Sequence, residues 1–452
     1  MKNSKSQLII ASLFKYIKLF LFLIIIFLML LFVTSLISSK YLTDNVRKSA
    51  DIMKESISGD SNYGFIKLKN NTIVLDYYTD ALMLNIIYSI DNNNPVESML
   101  LARKNYIKNK TKIIYPEEVG ELKSVSKYEY IYQLGELYDT INNDIEESFE
   151  YSRYWHGYIV ILRPLLVLFD INTIKIIFGA VLYSLAGVLV YLIKKKIGLK
   201  MALIFLLEII AMDYWIYSFQ LQGVFVVFIS MIAQIIILMC DIKKWHININ
   251  YLFFIIGSVT CFLDVLTTPI MTIGLPLIIY CLLNEDKIKI KDIIKIIIVW
   301  GIGYVSTWAL KWVIIDLLYN RNILQIAIEQ ALYRTGVNTN KTVSLFQVTY
   351  HNLKRVNIAL LTTGLSILFI ILNKLYVLKK ENGLIFINVK NALPYAIIGC
   401  LPLIVYEVLK NHSYIHAFFT YRNLMISLIC LIIIIDKTII ICNKKEKKLE
   451  NK

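Results

Sequence analysis

Apolar runs, separated by short basic patches, dominate the pattern along the chain. The first run, Leu19 to Ser39, carries no charge and is about 21 residues long. At the rise of a helix that length crosses a ~30 Å hydrocarbon core. Lys2, Lys5, Lys15 and Lys18 precede it and predict a cytoplasmic N-terminus. The run exceeds the apolar core of a cleaved signal peptide, so it reads as a signal anchor. Nine more runs follow at about 171–193, 199–219, 221–240, 250–266, 268–283, 293–315, 357–373, 391–409 and 420–441, two of them only about 16 residues long.

The lysines support ten spans with both termini inside. Lys194, Lys195, Lys196 and Lys200 fall in one expected inner loop, and Lys243 and Lys244 in the next. Lys287, Lys289, Lys291 and Lys295 fall in the third, Lys374, Lys379, Lys380 and Lys390 in the fourth, and Lys444, Lys445, Lys447 and Lys448 close the chain. The short outer hairpins near Gln220 and Thr267 hold no Lys or Arg, as the positive-inside rule requires.

Residues 40 to about 158 form one long outer loop with 14 basic and 18 acidic residues. Long loops cross largely regardless of charge, so this balance does not set the topology. Within it, Phe65–Leu75 reads as strand, Asp80–Ile90 as a short helix, Asn92-Asn93-Asn94-Pro95 as a turn and Tyr128–Phe149 as a tyrosine-rich helix. Tyr154–Phe169 is apolar, broken by Arg163-Pro164 and too short to span, which predicts an interfacial or re-entrant helix at the outer surface. The expected fold is an all-α polytopic membrane protein of about ten transmembrane helices, with a large first extracytoplasmic loop of mixed structure. Its parts are a cytoplasmic N-terminus and anchor (1–39), the outer loop with its interfacial helix (40–170), the transmembrane bundle (171–441) and a basic cytoplasmic tail (442–452).

Composition agrees. Of 452 residues, 57% are apolar, against about 45–50% in soluble domains, and a single soluble core stops growing near 250–300 residues. The soluble classes are excluded. The net charge of +15 sits mostly in patches beside apolar runs, which describes membrane topology and no nucleic-acid groove. All six cysteines, Cys240, Cys261, Cys281, Cys400, Cys430 and Cys442, lie in or at the ends of apolar segments. A disulfide-stapled outer domain is thereby excluded, and no CxxC points to zinc or redox chemistry. The abundance of Ile, Lys and Asn suggests a bacterial chain, for which a plasma-membrane location is expected.

Polar groups near hydrocarbon are costly, so their positions are informative. On this topology nearly all converge on the outer face: Asp76 and Asp80, Arg153 and His156, Asp213, Gln220 and Gln222, Asp264, Lys311, Asp316, Arg334, Asn411, His412, His416 and Arg422. Only Glu208 lies deeper. Each also has an ordinary structural role open to it. Asp80 suits the positive end of a helix dipole, Asp264 can cap the turn before Pro269, and Arg422 can snorkel. His412 and His416 share one helical face, but no third ligand is evident, so contact with substrate is favoured over a metal site.

Such a face suits chemistry on a lipid-linked substrate. A carboxylate can serve as general base toward a hydroxyl, and Arg or Lys can hold a phosphate. In its inside N-terminus, single first span, large first outer loop ending in an interfacial helix, and many later spans, the chain resembles the GT-C superfamily of integral-membrane glycosyltransferases. The segments Ser152-Arg153-Tyr154-Trp155-His156-Gly157 and Asn411-His412-Ser413-Tyr414-Ile415-His416-Ala417-Phe418-Phe419-Thr420-Tyr421-Arg422 look like those of bacterial membrane proteins with this layout. The resemblance implies a polyprenyl-phosphate sugar donor, a cell-envelope acceptor, Asp80 or Asp76 as catalytic acid, and Arg334 or Arg422 on the phosphate. Members usually carry the acid close to the first span, often as a tight pair; here Asp76 stands about 37 residues beyond it, spaced Asp-x-x-x-Asp. The expected function is transfer of a sugar at the outer face, with Arg153, His156, Gln222, Asp264, His412 and His416 as further substrate contacts. The competing readings are a lipid-linked-sugar flippase and a non-enzymatic envelope-assembly protein. No P-loop, GxGxxG or GxSxG element stands in its required context, which argues against ATP, nicotinamide and serine-hydrolase chemistry. Whether a divalent metal ion takes part, and the oligomeric state, stay open.

Overall fold

The computed structural model describes residues 2–57, 65–68, 73–106, 132–142, 147–240, 248–285, 287–337, 343–380 and 384–442. The basic tail from 443 onward lies outside them. The chain begins with the 34-residue helix α1 (Lys2–Ser35). The hydroxyls of Thr34 and Ser35 bond back to the carbonyls of Leu30 and Leu31, and the chain turns into α2 (Thr43–Ile57). The hairpin β1 (Phe65–Leu68) and β2 (Ile73–Asp76) leads directly into α3 (Tyr77–Tyr88). Then come α4 (Pro95–Leu101), β3 (Arg103–Tyr106), α5 (Tyr132–Ile141), β4 (Glu147–Glu150) and α6 (Ile159–Leu168).

The bundle follows: α7 (Ile171–Lys196), α8 (Leu199–Ala211), α9 (Val224–Met239), α10 (Ile249–Leu263), α11 (Met271–Leu283) and α12 (Ile290–Tyr319). An arm of α13 (Ile323–Thr335) and α14 (Leu345–Leu353) precedes α15 (Asn357–Lys380). Strand β5 (Leu384–Ile387) then leads to α16 (Leu393–Gly399), α17 (Leu401–Val408), α18 (Lys410–Ile415), α19 (Ala417–Thr420), α20 (Leu424–Thr438) and β6 (Ile439–Cys442), which pairs antiparallel with β5. Among the described residues, five helical stretches are long and apolar enough to cross a membrane: Ile10–Ser35, Ile171–Lys196, Ile290–Tyr319, Asn357–Lys380 and Ala417–Thr438. The protein is a helical membrane protein. Four of the other expected spans are shorter helices, α8 to α11, which stop at buried turns (212–223 and 264–270), and a fifth is the α16–α17 pair.

Two expectations for residues 40–158 change. The stretch read as one helix from Tyr128 to Phe149 is the shorter α5 followed by β4; residues 128–131 and 143–146 lie outside the described part. Pairing of β4 with β3 sets Glu150 opposite Arg103, whose guanidinium lies 3.4 Å from it and 2.5 Å from Glu97. Opposite charges across a strand pair favour that register over a continued helix. Phe65–Leu75 becomes two strands, β1 and β2, with 69–72 outside the described residues.

The segment Tyr154–Phe169 is a packed wedge. Trp155 is fully buried and donates its indole N–H to the Thr307 carbonyl at 2.8 Å. Gly157 N–H bonds the Phe262 carbonyl at 2.8 Å, and a Cβ there would stand 2.4 Å from that oxygen, so only glycine permits the contact. Arg163 is the one charged residue of α6. It is fully buried, its Nε donating to the Thr34 carbonyl at 3.1 Å and its terminal nitrogens to the carbonyls of Ile87 and Ile37, with the Ser39 hydroxyl at 3.2 Å. One guanidinium thus satisfies carbonyls at and just past the C-terminal ends of α1 and α3, where the helix dipoles are negative. Within the bundle, Gly257 and Gly303 bring α10 and α12 into backbone contact: a Cβ on either would lie within 2.4 Å of the other helix's carbonyl oxygen.

Arg163→Met keeps most of the volume but leaves several buried carbonyls unpaired, each costing about 1–3 kcal/mol. The variant is expected to unfold at lower temperature in detergent and to lose protection of the 40–158 region against limited proteolysis. An unchanged proteolysis pattern would contradict a fastening role.

Candidate functional site

Asp76 ends β2 and caps α3. Its carboxylate accepts the Thr79 N–H at 2.8 Å and the Thr79 hydroxyl at 2.6 Å. Burial pushes its pKa up to about 7, against the pull of those two bonds. One turn later Asp80, fully buried, takes the Lys175 ammonium of α7 at 2.7 Å on one oxygen and the Leu221 N–H at 2.9 Å on the other. The Lys175 ammonium also stands 4.4 Å from the Tyr77 ring centroid. Helix α3 is therefore clamped to α7 and to the turn between α8 and α9.

That turn carries the next layer. Asp213 opens it in a left-handed conformation (φ 56°), and residues 214–218 form a single 3-10 turn. Tyr217 presents its ring 5.1 Å from the Arg422 guanidinium, while Tyr421 lies 4.5 Å away on another side. Arg422 is fully buried. Its Nε reaches the Met212 carbonyl at 3.3 Å and one terminal nitrogen the Phe418 carbonyl at 3.4 Å; the other terminal nitrogen has no acceptor among the described residues. Tyr421 donates to Asp213 at 3.4 Å, and Arg355 stands close enough to Arg422 for their charges to repel. Gln222, on the same turn, has a buried side-chain oxygen with no donor.

The second turn, between α10 and α11, is held by Asp264, which takes the Thr267 N–H at 2.9 Å and its hydroxyl at 2.6 Å. The Leu266 carbonyl accepts from His412 Nε2 at 3.0 Å. His412 and His416 stand with ring centroids 4.7 Å apart, and His416 stacks on Phe419 at 5.2 Å with its Nδ1 unpartnered. Burial and the nearby Arg334 charge lower the His416 pKa to about 4, so both imidazoles are neutral at pH 7. Arg334, at the end of α13, bonds the Tyr154 hydroxyl and faces its ring. The expected outer cluster of Gln222, Asp264, Arg334, His412, His416 and Arg422 is thus gathered around two adjoining turns, and Gly223 joins them: a Cβ there would lie 2.9 Å from Tyr217 and 3.5 Å from Thr267.

Arg153 and His156 belong to the wedge. The Arg153 carbonyl accepts from Trp312 at 2.9 Å and its guanidinium lies over the Tyr151 ring. His156, buried and in a left-handed conformation (φ 55°), uses Nε2 on the Tyr151 carbonyl at 2.7 Å and Nδ1 on the Tyr158 hydroxyl at 2.9 Å. The carbonyl requires the proton on Nε2, and burial lowers the ring's pKa to about 3. Both nitrogens are used in holding the loop. Among the described residues no three His, Cys, Asp or Glu side chains gather as a metal site, and with His412 Nε2 on a carbonyl the histidine pair does not fit one. Lys175 escapes the sequence reading although a lone lysine near the start of an apolar run signals it. Tyr217 and Tyr421 carry no such signal.

The ion pair gives a direct expectation. Lys175→Met leaves Asp80 buried without its counter-charge, a loss on the order of 3–5 kcal/mol. Adding Asp80→Asn, which keeps an acceptor for Leu221, should recover most of it in a thermal-unfolding cycle. Additive losses would mean the two groups do not depend on each other.

No protein-family model matches this chain, and comparison with the curated proteins and with the solved structures likewise found no match.

Proposed function

We propose that the protein is a membrane glycosyltransferase of GT-C type, moving a sugar from a polyprenyl-phosphate donor to a cell-envelope acceptor at the outer face of a bacterial plasma membrane. The observation that carries this reading is Arg422: a fully buried guanidinium, flanked by tyrosine rings, with one nitrogen unpartnered, packed against the turn that Asp80 joins to α3. A buried cation with an unused donor is a natural seat for a phosphate. Ten crossings with both termini inside suit the lysine pattern. Helices α8 to α11, of 13 to 16 residues, supply only part of each crossing; their buried turns complete it, since irregular backbone at membrane depth is tolerated where protein covers it.

In this reading the donor phosphate lies at Arg422, with Arg334 and the neutral histidines lining the acceptor side. Asp80, tied up by Lys175 and Leu221, positions the wall, and Asp76 serves as general base. Asp76 removes the acceptor hydroxyl proton, the oxygen forms the new bond to the sugar's anomeric carbon, and the bond to phosphate breaks with its electron pair leaving on polyprenyl phosphate. A base near pKa 7 matches this task. Nucleotide sugars are made in the cytoplasm, so an outer-face site needs a donor already carried across.

A specific observation favours the flippase as the second reading. Glu208 in α8 is fully buried between helices, accepts from Thr363 at 3.0 Å and Thr362 at 3.3 Å, and has one oxygen unpartnered. Intramembrane acids of this kind often couple transport.

Purified protein in lipid should transfer sugar from a polyprenyl-phosphate donor and ignore the matching nucleotide sugar. The rate should fall as pH drops through about 7, where Asp76 becomes protonated, and Asp76→Asn should lose about 10²–10⁴-fold. Transfer from the nucleotide sugar alone would sink the proposal. Absence of transfer from a broad panel of lipid donors, with Glu208-dependent lipid movement in its place, would establish the flippase.

A further inference from the structure

At the end of the bundle opposite the Arg422 cluster, the first turns of α10 and α12 and the last turn of α11 enclose a cavity of about 260 Å³. Its lining is mixed: Asn250, Tyr280, Asn284, Lys287, Asp292 and Lys295 supply polar groups. Among the described residues, neither Lys287 nor Lys295 has a carboxylate within ion-pair distance; Asp292 is engaged by the Lys289 N–H at 3.3 Å. The side-chain oxygen of Asn250 is buried and accepts no hydrogen bond, while its amide nitrogen bonds Asn248 at 3.1 Å. Further positive charge stands alongside. Tyr16 of α1 packs its ring 4.7 Å from Tyr251, which brings the turn carrying Lys15 and Lys18 next to the start of α10.

An apolar track runs from this cavity. Ile290, Ile294, Ile298, Ile302 and Val305 follow one another at helical spacing on α12 and are exposed, so they face lipid in a membrane protein. Lys295 sits beside Ile294 at the head of the track. A cationic cavity with an unused acceptor, continuous with a lipid-facing apolar stripe, is complementary to an amphiphile with three features: a phosphate for the lysines, a hydroxyl to donate to Asn250, and acyl chains along α12.

We infer that this cavity is a binding site for an anionic phospholipid whose headgroup bears a hydroxyl, the phosphatidylglycerol class, in the leaflet opposite the Arg422 cluster. The site is independent of the transfer proposed above. Its lysines are surface groups outside the packed core, so substituting them leaves the fold intact.

The test uses the full-length protein in nanodiscs of phosphatidylcholine doped with phosphatidylglycerol or with phosphatidylmethanol, which has the same single charge but no hydroxyl. Lipid retained after detergent exchange is counted by native mass spectrometry. Wild type should retain phosphatidylglycerol over phosphatidylcholine. At about fivefold per lysine, the Lys287→Ala/Lys295→Ala variant should lose that preference by roughly 25-fold. Asn250→Ala should weaken phosphatidylglycerol several-fold while sparing phosphatidylmethanol. Equal retention by the double variant would overturn the site. An equal effect of Asn250→Ala on both lipids would overturn the hydroxyl assignment, and displacement by millimolar free glycerol phosphate would assign the cavity to a small anion.

Discussion

The whole polar cluster depends on where one guanidinium goes. Arg163 arrives on a ten-residue helix too short to cross a membrane and spends its donors on carbonyls from the ends of α1 and α3. A buried arginine is costly unless every donor is used, and here the ends of two helices, electronegative and short of donors, supply the partners. Helix α1, helix α3 and the wedge are thereby fastened together. With them fixed, α3 can present Asp80 to Lys175 and to the Leu221 N–H.

That contact passes the constraint into the bundle. The turn after α8 is irregular and buried, and it holds Asp80 at one end and Tyr217, against Arg422, at the other. The neighbouring turn after α10 is closed by Asp264 on Thr267 and roofed by His412 on Leu266. Most acids of the cluster are thus consumed in building it. Among the described residues, the groups left with unused hydrogen-bonding capacity include a nitrogen of Arg422, His416 Nδ1, the Tyr217 and Thr268 hydroxyls and the side-chain oxygens of Gln222 and Asn423. The balance is cationic and neutral, which favours an anionic ligand over a cation.

The sequence carried the broad architecture and the polar clustering because both are local signals. Uncharged runs and lysine patches can be read one segment at a time, and Asp, His, Arg and Gln at the ends of apolar runs stand out. What it could not carry are partnerships across the chain. Arg163 looks like a lipid-facing break in an apolar segment until residues more than 70 positions away supply its acceptors. Asp80 reads as an available base until Lys175 is found beside it. His156 reads as a substrate contact, yet both nitrogens serve the loop. Hydropathy also runs through the ends of α8 and α10, since Tyr214-Trp215-Ile216-Tyr217 is as apolar as a helix; the break comes from the left-handed Asp213, which no periodicity reveals.

The proposal at stake is that α3 and the bundle together form a seat for a lipid-borne phosphate at Arg422. Electron cryomicroscopy of the protein in nanodiscs containing polyprenyl phosphate tests it most directly. Phosphate density is expected within hydrogen-bonding reach of the Arg422 guanidinium, with Asp80 still joined to Leu221. Phosphate density only at the opposite end, around Lys287 and Lys295, or none at all at saturating lipid, would contradict it.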